Sequence, residues 1–149
     1  MARDRKIKSE KVILASDHAG FKLKEEIKKF LIKKKRRVLD LGTKNTSSVD
    51  YPDYAHLLSE KMNKSKNQFG ILICGTGVGM SMAANKHKNI RAALCYNIKS
   101  TKLSRQHNNA NVMTLGARLI TKNVALKCVS TFLKSGFDGG RHARRVKKI

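Results

Sequence analysis

Five short apolar runs punctuate the chain, each separated from the next by a longer amphipathic or polar stretch. Lys11-Val-Ile-Leu-Ala-Ser16 is continuous and apolar, the pattern of a strand buried on both faces, and Asp17-His-Ala-Gly20 follows as a turn. Leu23, Ile27, Phe30 and Leu31 then recur at helical spacing, which predicts a helix with Lys24, Lys28 and Lys29 turned to the other side. Val38-Leu-Asp-Leu41 reads as a second strand, and Gly42 to Asp53, with the only proline at Pro52, as a loop. Tyr54, Leu58 and Met62 mark one face of the next helix. A third run, Ile71 to Ile73, stops at Cys74, and a glycine-rich turn opens into Met80-Ser-Met-Ala-Ala84, good helix-forming material. Ile90 to Cys95 is a fourth strand, followed by the polar segment Asn97 to Asn108, helical in part. Val112 to Gly116 is a fifth, and Val124, Ala125, Cys128, Val129, Phe132 and Leu133 face inward from a last helix capped by Gly136.

Strand and helix alternate throughout, which predicts an α/β fold with a mainly parallel sheet covered on both faces. In such folds ligands bind outside the carboxyl ends of the strands, where strand order reverses. Asp17-His18, Cys74 with its glycines, Cys95 and the segment after Gly116 all fall at predicted carboxyl ends. Residues 11–149 read as one domain, and residues 1–10, mostly charged and without a sustained period, as a basic flexible extension.

Composition narrows the class. The 149 residues suffice for one ordinary core without disulfides or metals, and no apolar run approaches the ~20 residues of a membrane span. An apolar secretory segment is absent from the N-terminus, and three cysteines in no metal-ligand spacing suit a reducing compartment, so a cytoplasmic protein is expected. Lys plus Arg number 33 against 10 Asp plus Glu, a formal net charge of +23. Such a balance attracts phosphates and nucleic acid, yet it is also what a lysine-rich, solvated surface produces. A basic nucleic-acid-binding module is therefore a rival reading, although no RNA-recognition aromatic motif or zinc-finger spacing accompanies it.

The candidate chemistry centres on Gly70 to Gly79. Gly75-Thr-Gly-Val-Gly-Met80 lacks the third glycine of a dinucleotide fingerprint and the Lys-Ser/Thr of a P-loop. Three glycines and the Thr76 hydroxyl instead suit a small anion or a developing oxyanion. Cys74, at a strand end against a helix start, is either a small core residue or a thiol whose charged form is favoured by its setting. Cys128 and Cys95 read as core, and His56, His87 and His142 as solvated surface. His18, beside Asp17, and His107 sit in polar segments where an imidazole is useful near neutrality. Arg141 and Arg145 share a face if the tail is helical, a fork for phosphate. With no zinc-ligand spacing and no carboxylate cluster, a metal-free mechanism is expected.

Ser16-Asp-His-Ala-Gly20 with Lys22-Leu-Lys24, Asp50-Tyr-Pro52, Gly70 to Gly79, Ala83-Ala-Asn-Lys86, Ile90-Arg-Ala92, Leu103 to Asn108 and Gly139-Gly-Arg-His142 together resemble the type B ribose-5-phosphate isomerases, a family that also contains galactose-6-phosphate and allose-6-phosphate isomerases. The resemblance runs from about Lys11 to Val146. It implies a Rossmann-like three-layer fold with a five-stranded parallel sheet, working as a homodimer or dimer of dimers with sites shared between subunits. It further implies a cofactor-free interconversion of D-ribose 5-phosphate and D-ribulose 5-phosphate through a cis-enediolate, in the pentose phosphate pathway. A six-carbon phosphosugar is the alternative substrate.

Carried over by position, the resemblance makes Cys74 the base that moves a proton between C2 and C1. Thr76 assists proton movement between the sugar oxygens, and the backbone N–H groups of Gly75, Thr76, Gly77, Val78 and Gly79 form the anion hole. His107 opens the sugar ring, helped by Asp17, while Tyr51 lines the site and Asn108 contacts the sugar. His18, Arg118, Arg141 and Arg145 hold the phosphate, with His107, Asn108 and the arginines reaching in from the neighbouring subunit.

Overall fold

A computed structural model describes residues 10–149; apart from Glu10, the expected basic extension lies outside the described residues. The elements run β1 (Lys11–Ser16), α1 (Phe21–Lys33), β2 (Arg37–Asp40), α2 (Tyr51–Asn63), β3 (Gln68–Cys74), α3 (Val78–Ala84), β4 (Ala92–Leu94), α4 (Ile98–Asn108), β5 (Val112–Gly116), α5 (Lys122–Lys134) and α6 (Arg141–Val146). All five strands pair in parallel, in the order β2-β1-β3-β5-β4.

Strand alternation sorts the core into two layers. Val12, Leu14, Ile71, Ile73, Met113 and Leu115 face Ile27 and Leu31 of α1 and Ala125, Cys128, Val129 and Phe132 of α5. Ile13, Ala15, Leu72 and Cys74 face Ala55, Leu58 and Met62 of α2 and Met80 and Ala84 of α3. Ile13, Leu14, Ile71 and Leu72 are fully buried, each stabilising the fold by about 2 kcal/mol. The chain leaves β1 toward β2 but leaves β3 toward β4, so the segments after these adjacent strands diverge and open a crevice at their carboxyl ends.

Three local expectations change. Lys24, expected on the polar side of α1, is fully buried. Its ammonium lies 2.7 Å from Asp40 of β2 and 2.8 Å from Glu25, because α1 packs across the end of β2 and the charge finds carboxylates there. The loop expected through Asp53 ends at Asp50, and Pro52 sits in the first turn of α2, where its missing N–H costs nothing. The cap of α5 is Ser135, whose hydroxyl donates to the carbonyl of Thr131, instead of Gly136. The tail that follows forms the helix α6. Among the described residues no helix is long and apolar enough to cross a membrane.

Candidate active site

The first half of the candidate site lies at the crevice. Ser16 pairs with Ile73, and the N–H of Asp17 donates to the Ile73 carbonyl at 3.2 Å, which brings the turn after β1 against the end of β3. The buried carboxylate of Asp17 accepts the N–H of Gly20 at 3.0 Å. His18 Nδ1 accepts the N–H of Val49 at 3.2 Å, so Nε2 carries the ring hydrogen and is the nitrogen left to donate. That bond also ties the long loop before α2 to the crevice.

Cys74 ends β3 at 4% exposure, and its sulfur accepts the N–H of Gly77 at 3.1 Å. Gly77 caps α3 at φ 78°, a left-handed conformation that favours glycine. The exposed Thr76 accepts the N–H of Val78 on its hydroxyl at 3.3 Å. Two of the five N–H groups expected in the anion hole, those of Gly77 and Val78, thus have local acceptors. A side chain at Gly79 would begin 2.5 Å from the ring of Tyr51, so glycine there lets the first residue of α2 close over the start of α3.

The turn after β5 joins this group. Ala117 and Arg118 donate to the carbonyls of Cys74 and Gly75 at 2.9 and 3.0 Å, and the Arg118 guanidinium lies 3.0 Å from where a Gly75 side chain would begin. Arg118 therefore stands beside Gly75 of its own chain. The reason is that β5 pairs directly with β3, with Gly116 opposite Cys74.

The remaining residues lie at the other end of the sheet. Helix α4 starts at the carboxyl end of β4 and runs back over 11 residues, about 16 Å, to end just before β5 begins. His107 and Asn108 occupy its last turn. The His107 and His142 rings stack at 4.2 Å between centroids and 9° between planes. Arg141 and Arg145, one turn apart on α6, are exposed beside them. Partial burial, then the neighbouring His107, Arg141 and Arg145, push the His142 imidazole below its ordinary value. The two groups of residues thus lie at opposite ends of the sheet within one chain.

A family model described as Ribose/Galactose Isomerase matches residues 12–149. The chain belongs to the ribose/galactose isomerase family. It is 42% identical over 139 residues to the ribose-5-phosphate isomerase B of Escherichia coli K12, covering 93% of each chain. It is similar to the crystal structure of a ribose 5-phosphate isomerase from Thermotoga maritima, with a TM-score of 0.91, 51% identity and coverage of 93% of this chain and 95% of that one. A ribose-5-phosphate isomerase B from Mycoplasma genitalium, solved with bound ribulose-5-phosphate, matches with a TM-score of 0.91 and 47% identity over 94% of this chain and 93% of that one. The five-stranded parallel sheet is that of these structures.

Within this isomerase chain the structure brings together Asp17, His18, Tyr51, Cys74 to Gly79 and Arg118, and separately His107, Asn108, Arg141 and Arg145. Sequence reading missed several partners. His142, expected to be solvated, is the ring that covers His107. His56 and His87, expected without partners, lie with Nδ1 and Nε2 2.6 Å apart, joining α2 to the segment after α3. Their separation of 31 residues left no local signal. Cys95 is buried as expected, and burial pushes its thiol up to about 11.

Proposed function

We propose that this chain is a cytoplasmic aldose–ketose isomerase, residues 11–149 forming one catalytic domain, that interconverts D-ribose 5-phosphate and D-ribulose 5-phosphate without metal or organic cofactor. The observation that carries the proposal is Cys74 at the sheet's switch point with a backbone N–H on its sulfur. Ring opening comes first: His107, helped by Asp17, moves the proton of the C1 hydroxyl to the ring oxygen, the C1–O4 bond breaks and the aldehyde forms. The Cys74 thiolate then takes the C2 proton. The electron pair moves into an enediolate, whose charge the turn N–H groups of residues 75–79 stabilise by ~3 kcal/mol per well-aimed donor. Thr76 passes a proton between O1 and O2, and Cys74 returns its proton to C1. No electrons are gained or lost overall.

The phosphate sits away from the reacting carbons, held by His18 Nε2 and Arg118 from one chain and by Arg141 and Arg145 from another. Its binding energy thereby positions C1 and C2 against Cys74. Because Cys74 lies at the carboxyl end of β3 whereas His107 and Asn108 end α4 just before β5 begins, at the opposite end of the sheet, the working unit is a homodimer or dimer of dimers with each site completed across a subunit boundary. Comparing kcat/KM for ribose 5-phosphate, allose 6-phosphate and galactose 6-phosphate tests the reading. Ribose 5-phosphate is expected to lead by at least about 10-fold, since an extra hydroxymethylene between phosphate and carbonyl displaces the reacting carbons. A preference for either hexose phosphate overturns the choice of substrate.

A further inference from the structure

Outside the chain of proton transfers just described, one cluster stands out. The imidazole nitrogens of His107 and His142 and a carboxylate oxygen of Asp138 all lie within 4.8 Å of one another. The three come from different elements: the last turn of α4, the segment between α5 and α6, and the first turn of α6. The Asp138 N–H donates to the Gln106 carbonyl at 3.0 Å, which clips that segment to the residue preceding His107. Arg141 and Arg145 surround the same cluster from α6, so the groups facing His142 are one imidazole, one carboxylate and two guanidiniums.

A histidine in the last turn of a helix has few neighbours to hold its ring, and a ring free to rotate presents its nitrogens poorly. Here a second, nearly parallel ring covers one face. Two charged imidazoles at that separation would repel, so a stack of this kind needs one neutral member, and the surrounding arginines and partial burial favour the neutral form of His142. Resting on the proposed role of His107 in ring opening, we propose that His142 is a positioning residue: its ring, stacked on His107 and backed by Asp138, fixes the plane in which His107 meets the sugar's C1 hydroxyl and ring oxygen.

This assignment separates two steps that turnover alone merges. Ribulose 5-phosphate has no free hydroxyl with which to close a five-membered ring, so exchange of its C1 hydrogen with solvent needs Cys74 but no ring opening. In the full-length protein, His142→Ala is expected to lower kcat for ribose 5-phosphate about 10- to 100-fold while leaving the C1 deuterium uptake of ribulose 5-phosphate in D2O within about twofold of the unsubstituted protein. His142→Phe, which keeps a flat ring, is expected to restore most of the turnover. His142 lies on a short surface helix, and thermal melts of both variants establish that they fold.

Unchanged turnover in His142→Ala overturns the proposal, as does an equal loss of turnover and deuterium uptake. The parallel His107→Ala variant keeps the two claims distinguishable. Lost turnover there, with normal turnover in His142→Ala, sinks the positioning role and spares the ring-opening role of His107. Normal turnover in His107→Ala sinks both.

Discussion

The backbone N–H of Gly77 points at the sulfur of Cys74 from 3.1 Å, so the turn that starts α3 is already folded around the thiol. Cys95 and Cys128 have no such setting: both are buried within the layer of α1 and α5, and Cys95 is held as the neutral thiol, at about 11. Iodoacetamide at pH 8 followed by peptide mapping is expected to modify Cys74 first, with sugar phosphate slowing the reaction. Labelling of Cys95 ahead of Cys74 contradicts this.

Gly79 and Tyr51 make a second closely fitted pair, since a methyl group at 79 would meet the tyrosine ring at 2.5 Å. Gly79→Ala is expected to cost about 1–3 kcal/mol of stability through overpacking and to raise KM by displacing Tyr51 from the site. In a Tyr51→Ala background the same change is expected to cost less than about 0.5 kcal/mol. A cost independent of Tyr51, read from urea melts of the four proteins, refutes the contact as the cause.

Lys24 and Asp40 give a pH-dependent prediction. Burial alone raises the Asp40 carboxyl, but hydrogen bonds from Lys24, the Gly42 N–H and Lys28 outweigh it and hold the group below the ordinary carboxylate range. Its stabilisation is therefore present above the unfolded-state value of about 3.9 and is lost as pH falls through the lower folded value. Lys24→Met is expected to cost about 2 kcal/mol at pH 7, less than a fully isolated buried pair because Lys28 remains at 3.1 Å from Asp40. Denaturant melts at pH 7 and pH 3 are expected to show the difference shrinking at the lower pH; a constant difference contradicts the pairing.

Much of this was legible in the residue pattern, and the exceptions share a cause. Val12 to Ala15 and Ile71 to Ile73 announce buried strands because both of their faces meet core, and the glycines after Cys74 announce a turn. Lys24 was misplaced because helical periodicity reports which positions are apolar, whereas its ammonium is buried against Asp40, 16 residues away. The His56–His87 and His107–His142 pairs likewise join elements distant in sequence, and no local pattern encodes them. The place of Arg118 beside Gly75 was not legible either, because strand order, which sets β5 beside β3, does not appear in the sequence of elements.

The central claim, a sugar-phosphate isomerase site split between two chains, is tested most directly by subunit complementation. Cys74→Ala and His107→Ala proteins are each expected to be nearly inactive on ribose 5-phosphate. When the two are unfolded together and refolded as a 1:1 mixture, half of the dimers contain one chain of each kind, and in those dimers one site has both defects and the other has neither. Recovery of roughly a quarter of the unsubstituted protein's activity is the expected result. If Cys74 and His107 instead serve the same site from the same chain, every site in the mixture carries a defect. An inactive mixture of well-folded dimers contradicts the split site.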